Sequence, residues 1–110
     1  MKLINLTPHE ITLILEGGEL HIPPAGTVAR CTTNRVTVGE VEIEGFKVPI
    51  NKTEFGEVEN LPQPEEGTYF IVSAIVAQAM AGKRDDLLIP DDAVRDEQGK
   101  IIGTRALARI

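Results

Sequence analysis

The segment from Gly67 to Gly82 constrains the fold more than any other part of the sequence. Residues Thr68–Val72 are apolar after the threonine, which is typical of a strand covered on both faces. Residues Ala74–Ala81 are rich in alanine and favour a helix. Ser73 stands where an N-cap belongs, and Gly82 where a glycine commonly ends a helix. The sequence therefore predicts a buried strand that runs directly into a short capped helix.

Most of the remaining chain has the alternating pattern of β-strands. Residues Glu10–Ile22 alternate on either side of a glycine pair and predict a hairpin. Residues Arg35–Glu44 are rich in Val and Ile and predict a longer strand with a bulge at Gly39. Phe46–Ile50 alternates as well, and we expect an edge strand there because Pro49 has no N–H to give to a ladder.

Two further patterns concern the second half of the chain. Residues Phe55–Glu66 are acidic and are predicted to be irregular. Asp86–Ile89 predicts a short strand that ends at Pro90. Beyond it, Asp96–Gly99 predicts a four-residue hairpin loop between two strands.

Together these patterns predict one domain, residues 1–110, of the α+β class. Its mostly antiparallel strands form a bent sheet or partial β-barrel, with one short central helix packed on it. A chain of 110 residues can bury one core without disulfides or metals. Aromatic residues make up only 4% of the chain and tryptophan is absent, so the core is predicted to be aliphatic.

The distribution of charge bears on the partners of the protein. The first 82 residues contain 5 basic and 11 acidic side chains, whereas residues 83–110 contain 6 of each. An acidic body repels phosphate backbones, and few aromatic side chains are present on which bases would stack. We therefore expect no nucleic-acid partner.

The cysteine content and the apolar runs bear on the location of the protein. Cys31 is the only cysteine, so no intramolecular disulfide forms, which suits a reducing compartment. Residues 1–6 lack the regions of a signal peptide. No apolar run approaches the roughly 18 residues of a membrane span. We expect a cytoplasmic protein without membrane association.

A series of short motifs extends over nearly the whole chain. It consists of Asn5–Ile11, Ile22–Arg30, Phe55–Val58, Gly67–Ser73, Arg84–Leu87 and Val94–Asp96. Together these motifs resemble a family of small bacterial and phage proteins that has no established activity. The resemblance implies a single-domain protein from a bacterial or phage setting, and it implies no function, cofactor or catalytic residue.

The strand-to-helix junction at Ser73 is the leading candidate for a binding site. Free amides and the positive dipole end of a helix favour an anion, although capping the helix is the simpler explanation of Ser73. Arginines in an otherwise acidic chain offer planar forks for phosphates or carboxylates. A neighbouring aspartate would orient the arginine or bind a ribose hydroxyl. The candidate ligand-binding residues are Ser73, Ala74, Arg84, Asp85, Arg95, Arg30, Thr7 and His9.

The leading hypothesis is a non-enzymatic binding protein for a small anionic, nucleotide-like ligand. In a phage setting it extends to the sequestration of a host nucleotide signal. One alternative is a protein-interaction module that uses the edge strand Phe46–Ile50 and the acidic connector Glu54–Glu66, including a homo-oligomer edge. Another is a small hydrolase that uses His9 or Ser73. No catalytic residue, cofactor or metal site is assigned, because the two histidines and one cysteine lack zinc-like spacing.

Overall fold

The computed structural model describes residues 1–110 and shows a single small domain that is mostly β-structure. The only helix, α1, has six residues, Ala74–Ala79. The strands are β1 (Lys2–Asn5), β2 (Ile11–Leu15), β3 (Gly18–Ile22), β4 (Arg30–Ile43), β5 (Phe46–Glu59), β6 (Thr68–Ile71), β7 (Leu87–Arg95) and β8 (Ile101–Ala108).

The body of the protein is a curled sheet of six strands in the order β1-β6-β7-β8-β2-β3. The curl brings the chain after β3 back to the first strand of the sheet. Asn5 forms a bridge with Pro24, and the Ala25 N–H donates to the Asn5 carbonyl at 2.9 Å. The sheet is therefore a half-barrel. The predicted bent sheet with one short helix is confirmed, and the helical part of this α+β fold is minimal.

Three pairings of this sheet are parallel, which departs from the mostly antiparallel sheet expected from the sequence. β6 lies between β1 and β7 and is parallel to both, and β2 is parallel to β8. The predicted hairpin of β2 and β3 is confirmed, with Ile11 opposite Ile22. A hairpin can be recognised from the sequence because a pattern of turn residues stands between its two strands. The parallel pairs join distant segments, such as Lys2 with Thr68, and leave no such pattern.

β6 is buried on both faces, as the sequence predicts. The exposed fractions of Phe70, Ile71 and Val72 are 1%, 0% and 0%. Phe70 and Val72 pack in a core cluster with Val76 of α1, whereas Ile71 packs on the other side with Leu13 of β2. This short strand, which lies next to the edge strand β1, therefore joins the core beneath the helix to the core inside the half-barrel.

The predicted N-cap of α1 is confirmed, whereas the C-cap is Met80, so Gly82 is not, as the sequence predicted, the first residue beyond the helix end. The Ser73 hydroxyl Oγ accepts a hydrogen bond from the Val76 N–H at 3.3 Å. Gly82 follows the last turn with φ = +77°, a conformation that side chains of L-residues rarely adopt. The helix ends at Ala79, two residues before the predicted end.

β4 and β5 form a separate two-stranded sheet, which we call the arm (Arg30–Glu59). Each strand has 14 residues. A register shift between Thr37 and Gly39 marks the predicted bulge. β5 extends to Glu59, so the expectation that the chain becomes irregular at Phe55 is wrong, because Phe55 and the following residues pair with β4.

The arm gives the molecule an elongated shape. The radius of gyration is 17.6 Å, against about 13 Å for a compact chain of this length. The longest dimension is 57 Å and the shortest is 22 Å. Both strands of the arm have a free outer edge, which agrees with the edge position expected from Pro49.

β7 and β8 form the last hairpin. The predicted stop at Pro90 is wrong, because β7 continues through it with Pro90 opposite Leu107. The predicted loop Asp96–Gly99 is present, and the Asp96 carboxylate accepts from the N–H groups of Gln98 and Lys100 at 2.9 and 3.0 Å. The structure contains no helix with the length and apolarity needed to cross a membrane.

Candidate functional site

β1 and β6 are parallel, so their carboxyl ends lie side by side at the same end of the strands. We call this end of the sheet the strand-end edge. The Leu6 N–H donates to the Ile71 carbonyl at 2.8 Å, and the Ala29 N–H donates to the Leu6 carbonyl at 3.0 Å. These bonds tie the ends of both strands to the segment that enters the arm. In parallel sheets this is the edge at which ligands usually bind.

A cavity of about 390 Å³, which we call the edge cavity, opens between the base of the arm and the start of α1. Arg30, Thr32 and Glu59 line it from the arm, and Ser73 and Ile75 line it from the helix. The structure thus brings two of the predicted residues, Arg30 and Ser73, to one cavity. The predicted Ala74 lies between two residues of its lining.

Arg30 carries the unpaired positive charge of the edge cavity. The side chain is exposed, and it takes part in none of the ion pairs or side-chain hydrogen bonds of the structure. Glu59 is its partner in the strand register but does not approach within ion-pair distance. The guanidinium therefore keeps all its donors for a ligand, and the carboxylate nearby opposes an anion.

Ser73 contributes a hydroxyl and the start of a helix. Its oxygen accepts from the Val76 N–H as the cap, and its O–H remains a donor. The N–H groups of the first helical residues, Ala74 and Ile75, have no acceptor within the helix, and both residues are exposed at the surface. The junction therefore offers donors to an anion, on a helix of only six residues.

Thr7 and His9 lie in the loop that follows β1 on the strand-end edge. Asn5, 1% exposed, holds this loop through all its side-chain polar groups. Its Nδ2 donates to the carbonyls of His9 at 2.8 Å and Ile22 at 3.0 Å. Its Oδ1 accepts from the N–H of Thr7 at 2.9 Å and from the Thr7 hydroxyl at 2.6 Å. The Thr7 hydroxyl is therefore engaged in the loop.

Arg84 and Asp85 come directly before β7 in the chain. Because β7 is parallel to β6, they lie at the amino ends of these strands, opposite the strand-end edge. The Arg84 guanidinium binds the carboxylate of Asp86, and not that of Asp85, through two hydrogen bonds of 2.8 Å. This bond lowers the pKa of the Asp86 carboxyl and raises that of the Arg84 guanidinium. Asp85 lines a cavity of about 480 Å³ together with Lys83 and Arg109.

Asn5 and Asp86 were not among the predicted site residues. A period of two could have singled out Asp86, because side chains two residues apart on an extended chain point to the same side. Arg84 and Asp86 are so spaced, whereas Asp85 is adjacent to both. Nothing in the local sequence distinguishes Asn5, whose partners Ile22 and His9 are set by the fold.

Arg95 lies at the far end of β7. It is seven residues beyond Leu88, the last residue of β7 that pairs with β6, or about 23 Å along the strand. Its Nη1 donates to the Gly99 carbonyl at 2.7 Å and so closes the β7–β8 hairpin loop. The structure therefore does not bring Arg95 to either edge site.

The predicted residues thus form three separate sets: Arg30, Ser73 and Ala74 at the edge cavity with Thr7 and His9 on the same edge, Arg84 and Asp85 at the opposite edge, and Arg95 alone. The hydroxyl of Ser73 is bonded only to the Val76 N–H, so no histidine pairs with it. No three His, Cys, Asp or Glu side chains converge as a metal site would require.

Comparisons of the chain with protein-family models, with curated proteins and with solved structures give no match.

Proposed function

We propose that the protein is a non-enzymatic binding protein that holds a small anionic ligand in the edge cavity. The observation that carries the proposal is that Arg30, whose guanidinium has no carboxylate partner, lines the same cavity as Ser73. A planar fork with free donors suits a phosphate or carboxylate. The Ser73 hydroxyl and the first amides of α1 add donors on the other wall.

A nucleotide-like ligand is the form of the proposal that fits the size of the cavity. A volume of about 390 Å³ is within the range of small-molecule sites. Ile75, 45% exposed on the helix wall, offers apolar surface to a base or a sugar. The Ser73 hydroxyl accepts from the Val76 N–H as the helix cap and has no other hydrogen-bond partner in the protein, so its O–H is free to donate to the ligand.

Glu59 gives the proposal a quantitative consequence. Glu59 lines the same cavity and lies opposite Arg30 in the strand register. A negative charge at this place repels an anionic ligand. We expect Glu59→Gln to bind the anion more tightly than the natural chain, by about 3-fold to 10-fold at low salt.

A thermal-shift screen of nucleotides, sugar phosphates and inorganic phosphate tests the proposal. A ligand that binds only the folded state raises the melting temperature, and the shift grows with the logarithm of the ligand concentration once that exceeds the dissociation constant. We expect at least one nucleotide or sugar phosphate to stabilise the protein at millimolar concentration. If none of these compounds raises the melting temperature, the protein does not bind this class of ligand and the proposal is wrong.

Two matched variants locate the site. Arg30→Gln removes the free guanidinium and is expected to abolish the shift. Arg35→Gln removes an exposed arginine five residues along the same strand, outside the cavity, and is expected to leave the shift unchanged. Ser73→Ala separates the two roles of the serine, since loss of the cap lowers stability by about 1 kcal/mol whether or not ligand is present. An equal loss of the shift in both arginine variants would place the ligand elsewhere.

A further inference from the structure

The outer half of the arm has one apolar face. In its register, Val41 lies opposite Val48 and Ile43 lies opposite Phe46. Directly opposed residues in an antiparallel pair share a face, and the residues between them take the other face. Ile50 continues the same row beyond Val48. We call these five residues the apolar arm face.

No other part of the structure covers the apolar arm face. Its side chains are exposed by between 38% at Val48 and 72% at Phe46. A two-stranded ribbon is marginally stable in water unless its apolar side packs on something. Together the five side chains expose about 400 Å², a size at which patches on monomers are often functional. The outer arm therefore has the composition of a structure that is completed by a partner.

We propose that the apolar arm face binds a second copy of this chain, which places its own apolar arm face against it. The face contains no charged side chain, so that two copies meet without burying an ion. The contact is two-fold and uses the same patch on both copies, so each association covers both exposed faces at once. The packing of two ribbons face to face gives the four strands that an isolated hairpin lacks.

The distribution of charge favours this occupant. The chain has a net charge of −6, but the outer arm, residues 39–52, contains three glutamates and two lysines and is close to neutral. Arms that overlap along their outer halves, with the bodies at opposite ends, hold the acidic bodies apart by about 20 Å or more. That separation exceeds the Debye length of about 8 Å at physiological salt, so the bodies repel only weakly.

The free edges of the arm point to face packing rather than to pairing of strands. Pro49 lies in β5 opposite Glu40 and cannot donate to an added strand. Glutamates at positions 40 and 42 also lie along β4, and charges on edges discourage edge-to-edge association. Contact through the apolar faces alone buries about 800 Å² in total, which is less than the roughly 1,200 Å² at which stable specific interfaces begin. We therefore expect a reversible dimer.

Sedimentation equilibrium of the full chain, from low micromolar to submillimolar concentration, tests the proposal. The natural chain is expected to pass from monomer to dimer in this range. Ile50→Lys puts an ammonium on the apolar arm face and is expected to remain monomeric throughout. Asn51→Lys adds the same charge at the next residue, on the opposite face, and is expected to dimerise like the natural chain.

Two further measurements keep the test decisive if Ile50→Lys disturbs the arm. The first uses the milder variant Val48→Thr, which preserves the shape of the side chain, and its dimer dissociation constant is expected to be about 10-fold higher than that of the natural chain. The second is amide hydrogen exchange. In the natural chain, amides of residues 39–50 are expected to exchange more slowly at high than at low protein concentration. A natural chain that stays monomeric at every concentration overturns the proposal, as does an Ile50→Lys variant that dimerises as tightly as the natural chain.

Discussion

The Arg84 guanidinium and the Asp86 carboxylate form a bidentate ion pair over the core of the protein. Nε and Nη2 each donate to one carboxylate oxygen at 2.8 Å, and the two side chains are only 11% and 12% exposed. The guanidinium carbon lies 6.0 Å from the centre of the Phe70 ring. The Phe70 N–H in turn donates to the Asp86 carbonyl at 3.0 Å. The pair therefore fixes the segment that leads from α1 into β7.

Removal of one partner is expected to destabilise the fold more than removal of both. Asp86→Asn leaves the Arg84 charge without its counter-ion in a nearly buried place, at a cost of about 3 kcal/mol. The double variant Arg84→Met with Asp86→Leu removes both charges and is expected to cost less. Urea denaturation of the three proteins measures the difference, and an Asp86→Asn variant as stable as the double variant would contradict it.

The same pair predicts a loss of stability in acid. The hydrogen bond from Arg84 lowers the pKa of the Asp86 carboxyl below its unfolded value of about 3.9. The folded state therefore binds this proton less readily than the unfolded state does. The resulting stabilisation is present above pH 4 and is lost as the pH falls through the lowered pKa. The free energy of unfolding, measured between neutral pH and pH 2, is expected to fall less steeply in Asp86→Asn.

Asn5 is expected to be among the most sensitive positions of the chain. Asn5→Ala removes four hydrogen bonds and leaves the buried carbonyl of Ile22 without that donor. We expect a loss of about 3 kcal/mol in the free energy of unfolding. Asn51→Ala serves as the control, because the Asn51 side chain is exposed and has one hydrogen bond, from the Thr37 hydroxyl. A control that costs as much as Asn5→Ala would show that burial of the network is unimportant.

Gly103 of β8 lies close against β2. A Cβ at this position would lie 2.8 Å from Ile14 Cδ1 and 3.0 Å from the Thr12 carbonyl oxygen. Because the second contact is with backbone, Gly103→Ala is expected to cost about 2 kcal/mol. Gly39→Ala meets no atom within 4 Å and should change stability little. The melting temperatures of the two variants are compared by thermal unfolding. Equal melting temperatures would mean that β2 moves away from the added methyl group at little cost.

Thr104 has a polar group that the fold leaves unsatisfied. Its Oγ1 is buried and has no hydrogen-bond partner in the protein. Thr104→Val keeps the shape and removes the hydroxyl, so we expect the free energy of unfolding to rise by about 1 kcal/mol. Thr104→Ser keeps the hydroxyl and removes the methyl group, and should be less stable than the natural chain. If Thr104→Val were the less stable variant in denaturant titration, the hydroxyl must be bonded in solution.

The sequence predicts well those elements that are determined by residues close together in the chain. The cap at Ser73 and the hairpin at Glu10–Ile22 depend on residues a few positions apart. The parallel pairing of β1 with β6 depends on segments more than sixty residues apart, and period-two patterns do not reveal which strands will pair. The stop predicted at Pro90 is wrong for a related reason, because a proline is tolerated wherever its missing N–H faces away from the ladder.

For the candidate site, the sequence indicates which residue types could bind an anion, but not which of them come together in one cavity. Arg30 and Ser73 are 43 positions apart, and their common cavity arises only because the arm enters and α1 begins at the same edge of the sheet. Arg95 has the same chemistry as Arg30, but its guanidinium is engaged by the Gly99 carbonyl. A hydrogen bond to a nearby carbonyl of this kind decides which arginine keeps free donors. Whether it forms depends on the conformation of the loop and not on the composition of the chain.

The pairing of β2 with β8 has a consequence for synthesis of the chain. Leu13 lies opposite Thr104, so β2 cannot pair with β8 until a residue 91 positions later in the chain has left the ribosome. The arm, in contrast, is complete once Glu59 has emerged, and its contacts are local. Since local contacts form fastest, we expect the β2–β3 hairpin and the arm to order before β2 pairs with β8. The half-barrel can close only several seconds later, at ordinary rates of synthesis.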